Sequence, residues 1–154
     1  MQAKKTLANL MLAFVLVSIG FAIGKETAGN SPSVADAADP AGEDRVIVYY
    51  LRSTFRCFQC NMIEHMAGEL IRSEFAVHLE DGRLEWRIED YLKNAELARR
   101  YQVSGNIIVL SRRIDGKEVG HRRLDRVMEM VLGDRVAFES YLRDAILGML
   151  GDAP

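Results

Sequence analysis

The chain has 154 residues, 49% of them hydrophobic and 27% charged, with a formal net charge of -2 and a pI near 5.9. That is enough for one compact domain with a real core and some sequence to spare. A near-neutral balance, with basic and acidic residues mixed along the chain, gives no reason to expect nucleic acid as a partner.

Met1 to Lys5 carries two lysines, and Leu7 to Gly24 is then apolar except for Asn9 and Ser18. A helix of roughly 17–25 such residues spans a bilayer. Lysines ahead of it place the N-terminus inside and the remainder outside. Residues 1–24 are therefore expected to be a membrane anchor, with 7–24 in the bilayer. The small residues of Ala22-Ile23-Gly24 leave a cleaved signal peptide open as the alternative. Both readings put the rest of the chain on the extracytoplasmic (periplasmic) side, where disulfides persist. Residues 25–44, rich in Ala, Gly, Ser, Pro and Asp without apolar periodicity, read as a flexible linker. A folded domain is expected over 45–150 and a short tail over 151–154.

Val46–Leu51 is a β-branched and aromatic run, expected as a strand buried on both faces. After a loop from Arg52 to Arg56, Met62, Ile63, Met66, Leu70 and Ile71 recur at helical spacing, so a helix is predicted from Cys57 to about Ser73. Phe75–Leu79 is ambiguous, and Asp81-Gly82 marks a turn. Leu84–Ile88 alternates as a strand. Asn94–Tyr101 reads as a short helix with Asn94 as its N-cap. Ile107–Leu110 is a buried strand, Asp115-Gly116 a hairpin turn, and Lys117–Arg122 the returning strand. Asp125–Leu132 reads as a helix broken by Gly133. Asp134 then caps a last helix reaching about Leu150, with Phe138, Leu142, Ile146 and Met149 on one stripe. This order predicts an α/β fold with a mixed central sheet and helices on both faces.

Only two cysteines are present, Cys57 and Cys60. So short a loop constrains the unfolded chain little, which argues for chemistry over stability. Cys57 is placed where a buried strand gives way to a helix. The free N–H groups and positive dipole end there favour a thiolate, the reactive form of the thiol. Cys57 is thus the expected attacking sulfur, with Arg56 and Arg52 adding positive charge, and Cys60 the resolving one. Phe58 and Gln59, between the two, should tune the pair. Glu64 continues the same helix face, either as a proton relay or as a solvated carboxylate. Phe55 is expected either exposed with Phe58 as a docking patch or buried in the seam between sheet and helix. The scattered His65, His78 and His121 lack convincing ligand spacing. Met62, Met66, Met128 and Met130 fit core packing better than metal chemistry.

These residues resemble the thioredoxin-like superfamily over roughly Val46 to Leu150. The likeness lies in the Cys57–Ile63 turn and helix, the Asn94–Gly105 helix leading to the next strand, and the Ile114–Val119 hairpin. It implies a four-stranded thioredoxin core and dithiol–disulfide exchange with a protein partner. A narrower likeness, through Tyr49-Tyr50, Phe55-Arg56-Cys57, Cys60, Ile63-Glu64, Gly133-Asp134, Ala137-Phe138 and Tyr141, is to bacterial membrane-anchored thioredoxin-like proteins named as a nitrophenyl-compound nitroreductase subunit family. Three positions depart from the thioredoxin pattern. Arg56 stands for the usual tryptophan, Leu51 for the buried acid, and a residue near Ile107 for the cis-proline. A cis bond before a non-proline costs about 2.5–4 kcal/mol, so that loop should be trans or reshaped.

The expected function is an extracytoplasmic thiol–disulfide redox protein with a dedicated partner. It needs no organic cofactor, because no glycine-rich nucleotide loop is present. Two alternatives stand beside it: a copper carrier using Cys57 and Cys60 as metal ligands, and a non-catalytic thioredoxin-fold subunit of a redox complex.

Overall fold

Strand β1 (Arg45–Arg52) organises the domain, because its side chains feed two separate apolar layers. The computed structural model describes residues 44–151. The expected anchor or signal segment over 1–24, the linker up to residue 43 and residues 152–154 of the tail lie outside the described residues. Among the described residues no helix is long and apolar enough to cross a membrane.

After β1 come α1 (Phe58–Glu74), the short α2 (Ala76–Glu80), β2 (Leu84–Asp90) and α3 (Ala95–Arg100). The hairpin β3 (Ile107–Ile114) and β4 (Lys117–Leu124) follows, then the single turn α4 (Val127–Met130) and α5 (Arg135–Leu150). The sheet order is β2-β1-β3-β4. β1 pairs parallel with β2, from Val46 opposite Leu84 to Arg52 opposite Asp90. It pairs antiparallel with β3, whose other edge carries β4 antiparallel. A mixed four-stranded sheet with helices on its faces fits the thioredoxin-like arrangement implied by the resemblance.

Period-two alternation divides β1 between the layers. Val46, Val48 and Tyr50 enter the larger core with Ile63, Met66, Leu70 and Ile71 of α1 and Phe138, Leu142 and Ile146 of α5. Ile47, Tyr49 and Leu51 enter the smaller one with Leu97 of α3 and Tyr101. Burying each large aliphatic side chain contributes roughly 1.5–3 kcal/mol. Helix α1 is therefore held to the sheet by its own apolar stripe, and its N-terminus is fixed in space. The methionines take the packing role expected of them: Met66 is buried, and Met62, Met128 and Met130 pack half-buried against the larger core.

Local chemistry sets the boundaries. Asn94 Oδ1 accepts from the Leu97 N–H, and Asp134 accepts from the Val136 and Ala137 N–H groups. Asp115 and Gly116 both have positive φ, 51° and 74°, in the tight turn between β3 and β4. Gly151 ends α5 at φ 81°.

Two expectations need correction in extent, and one open segment is settled. The helix expected over Asp125–Leu132 is only one turn. Val127 and Val131 are its buried anchors, Leu132 is exposed, and Arg126 supplies no capping side chain. β3 and β4 run longer than their apolar runs. Ser111 and Arg113 are buried in β3, and polar side chains on a sheet give no hydrophobic signal. Phe75–Leu79 is resolved as a buried Phe75 followed by the short α2.

Candidate functional site

β1 ends at Arg52, four residues pass, and Cys57 becomes the N-cap of α1 with extended backbone (φ -123°, ψ 164°). The Cys57 Sγ accepts from the Cys60 N–H at 3.1 Å. A sulfur thus occupies the place where a capping oxygen usually satisfies an unpaired helix N–H. Cys57 and Cys60 are joined in a disulfide, with Cα atoms 5.0 Å apart. The two sulfurs differ in access: Cys57 is exposed, whereas Cys60 is only 4% exposed. An exposed sulfur at a helix N-terminus can be reached by another protein's sulfur. A buried one a turn later can be reached only from within.

The loop before Cys57 is tied down on several sides. Ser53 Oγ donates to the Phe55 carbonyl, and Thr54 Oγ1 donates to Asp90 at the end of β2. The Tyr91 N–H donates to the Arg52 carbonyl. Beneath the first turn of α1, the Tyr50 hydroxyl donates to the Cys60 carbonyl at 3.0 Å. Burial, with a smaller push from Glu64, raises that hydroxyl to about 12, so it stays a donor across the neutral range. Trp86 of β2 stacks on Tyr50, ring centroids 6.5 Å apart and nearly parallel.

Charges beside the pair are organised around Glu64. Its Oε2 lies 3.2 Å from Arg56 Nη1 and 3.8 Å from Arg52 Nε. Arg56 Nη1 also donates to Asn61 Oδ1. The structure therefore brings Arg52, Arg56 and Glu64 together at the cysteine turn, with the carboxylate of Glu64 engaged by both arginines. Phe58, 73% exposed, opens α1, and Gln59 is half-buried behind it. Phe55 is 80% exposed, so of its two expected placements the buried seam is ruled out.

Of the histidines, His65 lines a hollow with Arg56, Asn61 and Glu64, and His78 and His121 lie elsewhere. His65 faces Glu69, His78 stands edge-on to Phe75, and His121 contacts Glu118 and the ring of Tyr101. Among the described residues no three His, Cys, Asp or Glu side chains gather as metal ligands.

Sequence reasoning missed Asn106. It lies next to Ile107, where the thioredoxin pattern has its cis-proline, and the sequence assigns its side chain no role. Asn106 Oδ1 accepts from the Ser53 N–H at 2.8 Å, and its Nδ2 donates to Cys60 Sγ at 2.8 Å. The only available signal was the loop's one carboxamide. The described peptide bonds are all trans, so the loop is built without the cis bond of the thioredoxin pattern. Leu51, at the position of the missing buried acid, is fully buried in the smaller core.

No protein-family model matches the chain, and no curated protein matches it. A solved structure described as "Structure of a malarial protein" is similar at 20% identity and a TM-score of 0.36, over 57% of this chain and 93% of that one.

Proposed function

We propose that this chain is an extracytoplasmic thiol–disulfide redox protein that passes electrons to or from a dedicated partner protein through Cys57 and Cys60. The observation carrying this reading is the asymmetry of the pair. Cys57 is exposed and caps α1, and Cys60 is buried one turn later and joined to it in a disulfide.

In the reducing direction, the Cys57 thiolate attacks one sulfur of the partner's disulfide. A Cys57–partner bond forms, and one partner thiolate leaves. The Cys60 thiol then loses its proton to water and its sulfur attacks Cys57 Sγ. The Cys57–Cys60 disulfide forms, and the second partner thiolate leaves. Two electrons pass to the partner, and each released thiolate takes a proton from water. The oxidising direction is the reverse.

Leu51 and the reshaped loop at Asn106 depart from the general thioredoxin pattern, which supports a dedicated partner over a broad range. The exposed Phe55 and Phe58 beside Cys57 supply apolar contact area for it. The apolar run over 7–24 supports attachment to a membrane or export.

Incubating the full-length protein with a dithiol of known potential tests the reading. Reversible interconversion of Cys57 and Cys60 between thiols and disulfide is expected, and complete inertness of the folded protein would overturn it. Adding Cu(I) against a competing chelator to the reduced protein separates exchange from copper carriage. Tight one-to-one binding lost in Cys60→Ser, with slow exchange, would favour the carrier.

A further inference from the structure

We infer that Asn106 is the hydrogen-bond donor that makes Cys60 a competent resolving thiolate, in place of a buried carboxylate. This rests on the exchange reading above and extends it to a residue outside the Cys57–Cys60 turn.

Geometry fixes the direction of the Asn106 amide. Its Oδ1 is held by a backbone donor, the Ser53 N–H, so its Nδ2 must be the end that faces Cys60 Sγ. A flipped amide would set N–H against N–H and lose both bonds. The backbone behind it is equally fixed, because the next residue, Ile107, is 5% exposed and sits in register opposite Leu51. Asn106 therefore bridges the end of β1, the start of β3 and the resolving sulfur.

Each sulfur then has its own N–H donor. Cys57 has the Cys60 backbone N–H, and Cys60 has the Asn106 side chain. A hydrogen bond to a thiolate is charge-assisted and stronger than one to a thiol or a disulfide sulfur. A donor aimed at Cys60 Sγ consequently favours the deprotonated form and lowers the pH at which Cys60 can attack the mixed disulfide. No carboxylate is available from β1, since Leu51 is apolar and Tyr50 donates to the Cys60 carbonyl. The charged groups bordering the turn are Arg52 on β1, Arg56 in the loop and Glu64 on α1. Asp90 at the end of β2 holds Thr54. Arg123 and Asp125 line the hollow beside Asn106 and pair with each other.

The test uses the full-length reduced protein and an aryl disulfide whose released thiolate absorbs visible light. Attack by Cys57 releases the first aryl thiolate, and attack by Cys60 on the mixed disulfide releases the second. The second phase is followed against pH. Asn106→Asp keeps the acceptor for Ser53 and removes the donor to sulfur. Asn106→Ala removes both without adding charge. Both variants are expected to shift the midpoint of the second phase upward by about one pH unit, slowing it about tenfold below the midpoint. Because Asn106→Ala also frees the Ser53 N–H, the second phase is read relative to the first in each variant. A second phase unchanged in Asn106→Ala overturns the inference, including where Asn106→Asp alone shifts it, because charge and not the lost donor would then be the cause. A parent protein that releases no second thiolate overturns the exchange reading itself, and this inference with it.

Discussion

Cys57 and Cys60 are three residues apart, yet their surroundings give them separate tasks. Exposure and the capped helix end suit Cys57 for the intermolecular step, and burial suits Cys60 for the internal one. Cys57→Ser is accordingly expected to abolish covalent capture of a disulfide substrate. Cys60→Ser should leave capture intact and accumulate the mixed disulfide, which intact-protein mass spectrometry would detect. Failure of Cys60→Ser to accumulate that species would contradict the assignment. A second residue-scale prediction concerns Glu118, on the face of the sheet that carries the smaller core. It accepts from Tyr101 Oη at 2.6 Å and Ser111 Oγ at 2.8 Å, and it contacts His121. Burial pushes its carboxyl up, but the hydrogen bonds from Tyr101, Ser111 and His121 together outweigh that and hold it below the ordinary 4.5. A carboxyl whose folded-state pKa is lowered stabilises the fold above its unfolded value and loses that contribution as pH falls through the folded value. Glu118→Gln should therefore be less stable than the parent at neutral pH and converge on it in acid, as read from urea midpoints. Equal differences at both ends of that range would contradict the linkage.

At the scale of elements, the cysteine turn is only as well placed as α1, and α1 is held by packing more than by its surface charges. Leu142 of α5 is fully buried in the core that α1 shares. Leu142→Ala should cost about 2–5 kcal/mol by chemical denaturation. The paired Glu74 and Arg143 join α1 to α5, but both side chains are about a third exposed. A double-mutant cycle on that pair is expected to return no more than about 1 kcal/mol. Most of this scaffold was legible in the sequence because its signals are local. Val46–Leu51, the stripe in α1, Asn94, Asp115-Gly116 and Asp134 each announce their element by periodicity or capping. Asp125–Leu132 misled because two buried valines and a methionine pair mimic a helical stripe over what is one turn. Asn106 was illegible for a different reason. Its role depends on a contact with Cys60 across 46 residues of chain, and pattern within a segment carries no information about such a pairing.

On the scale of the whole molecule, the sheet brings the loop before β3 to the end of β1 and the nearby start of α1. The end of β1, the start of α1 and the loop before β3 meet at one pole, where the Ser53–Asn106–Cys60 chain of hydrogen bonds joins them. The proposed partner must reach that pole, where Phe55, Arg56, Cys57 and Phe58 are all exposed. The most direct test of the central claim is the redox equilibrium of the pair itself. The full-length protein would be equilibrated in buffers of defined thiol–disulfide potential, quenched with acid and alkylated, and its modified cysteines counted by mass. Cys57 and Cys60 are expected to convert together in one reversible two-electron transition, with the ratio of reduced to oxidised protein changing tenfold per about 30 mV. A pair that does not follow the buffer potential in the folded protein would contradict that claim.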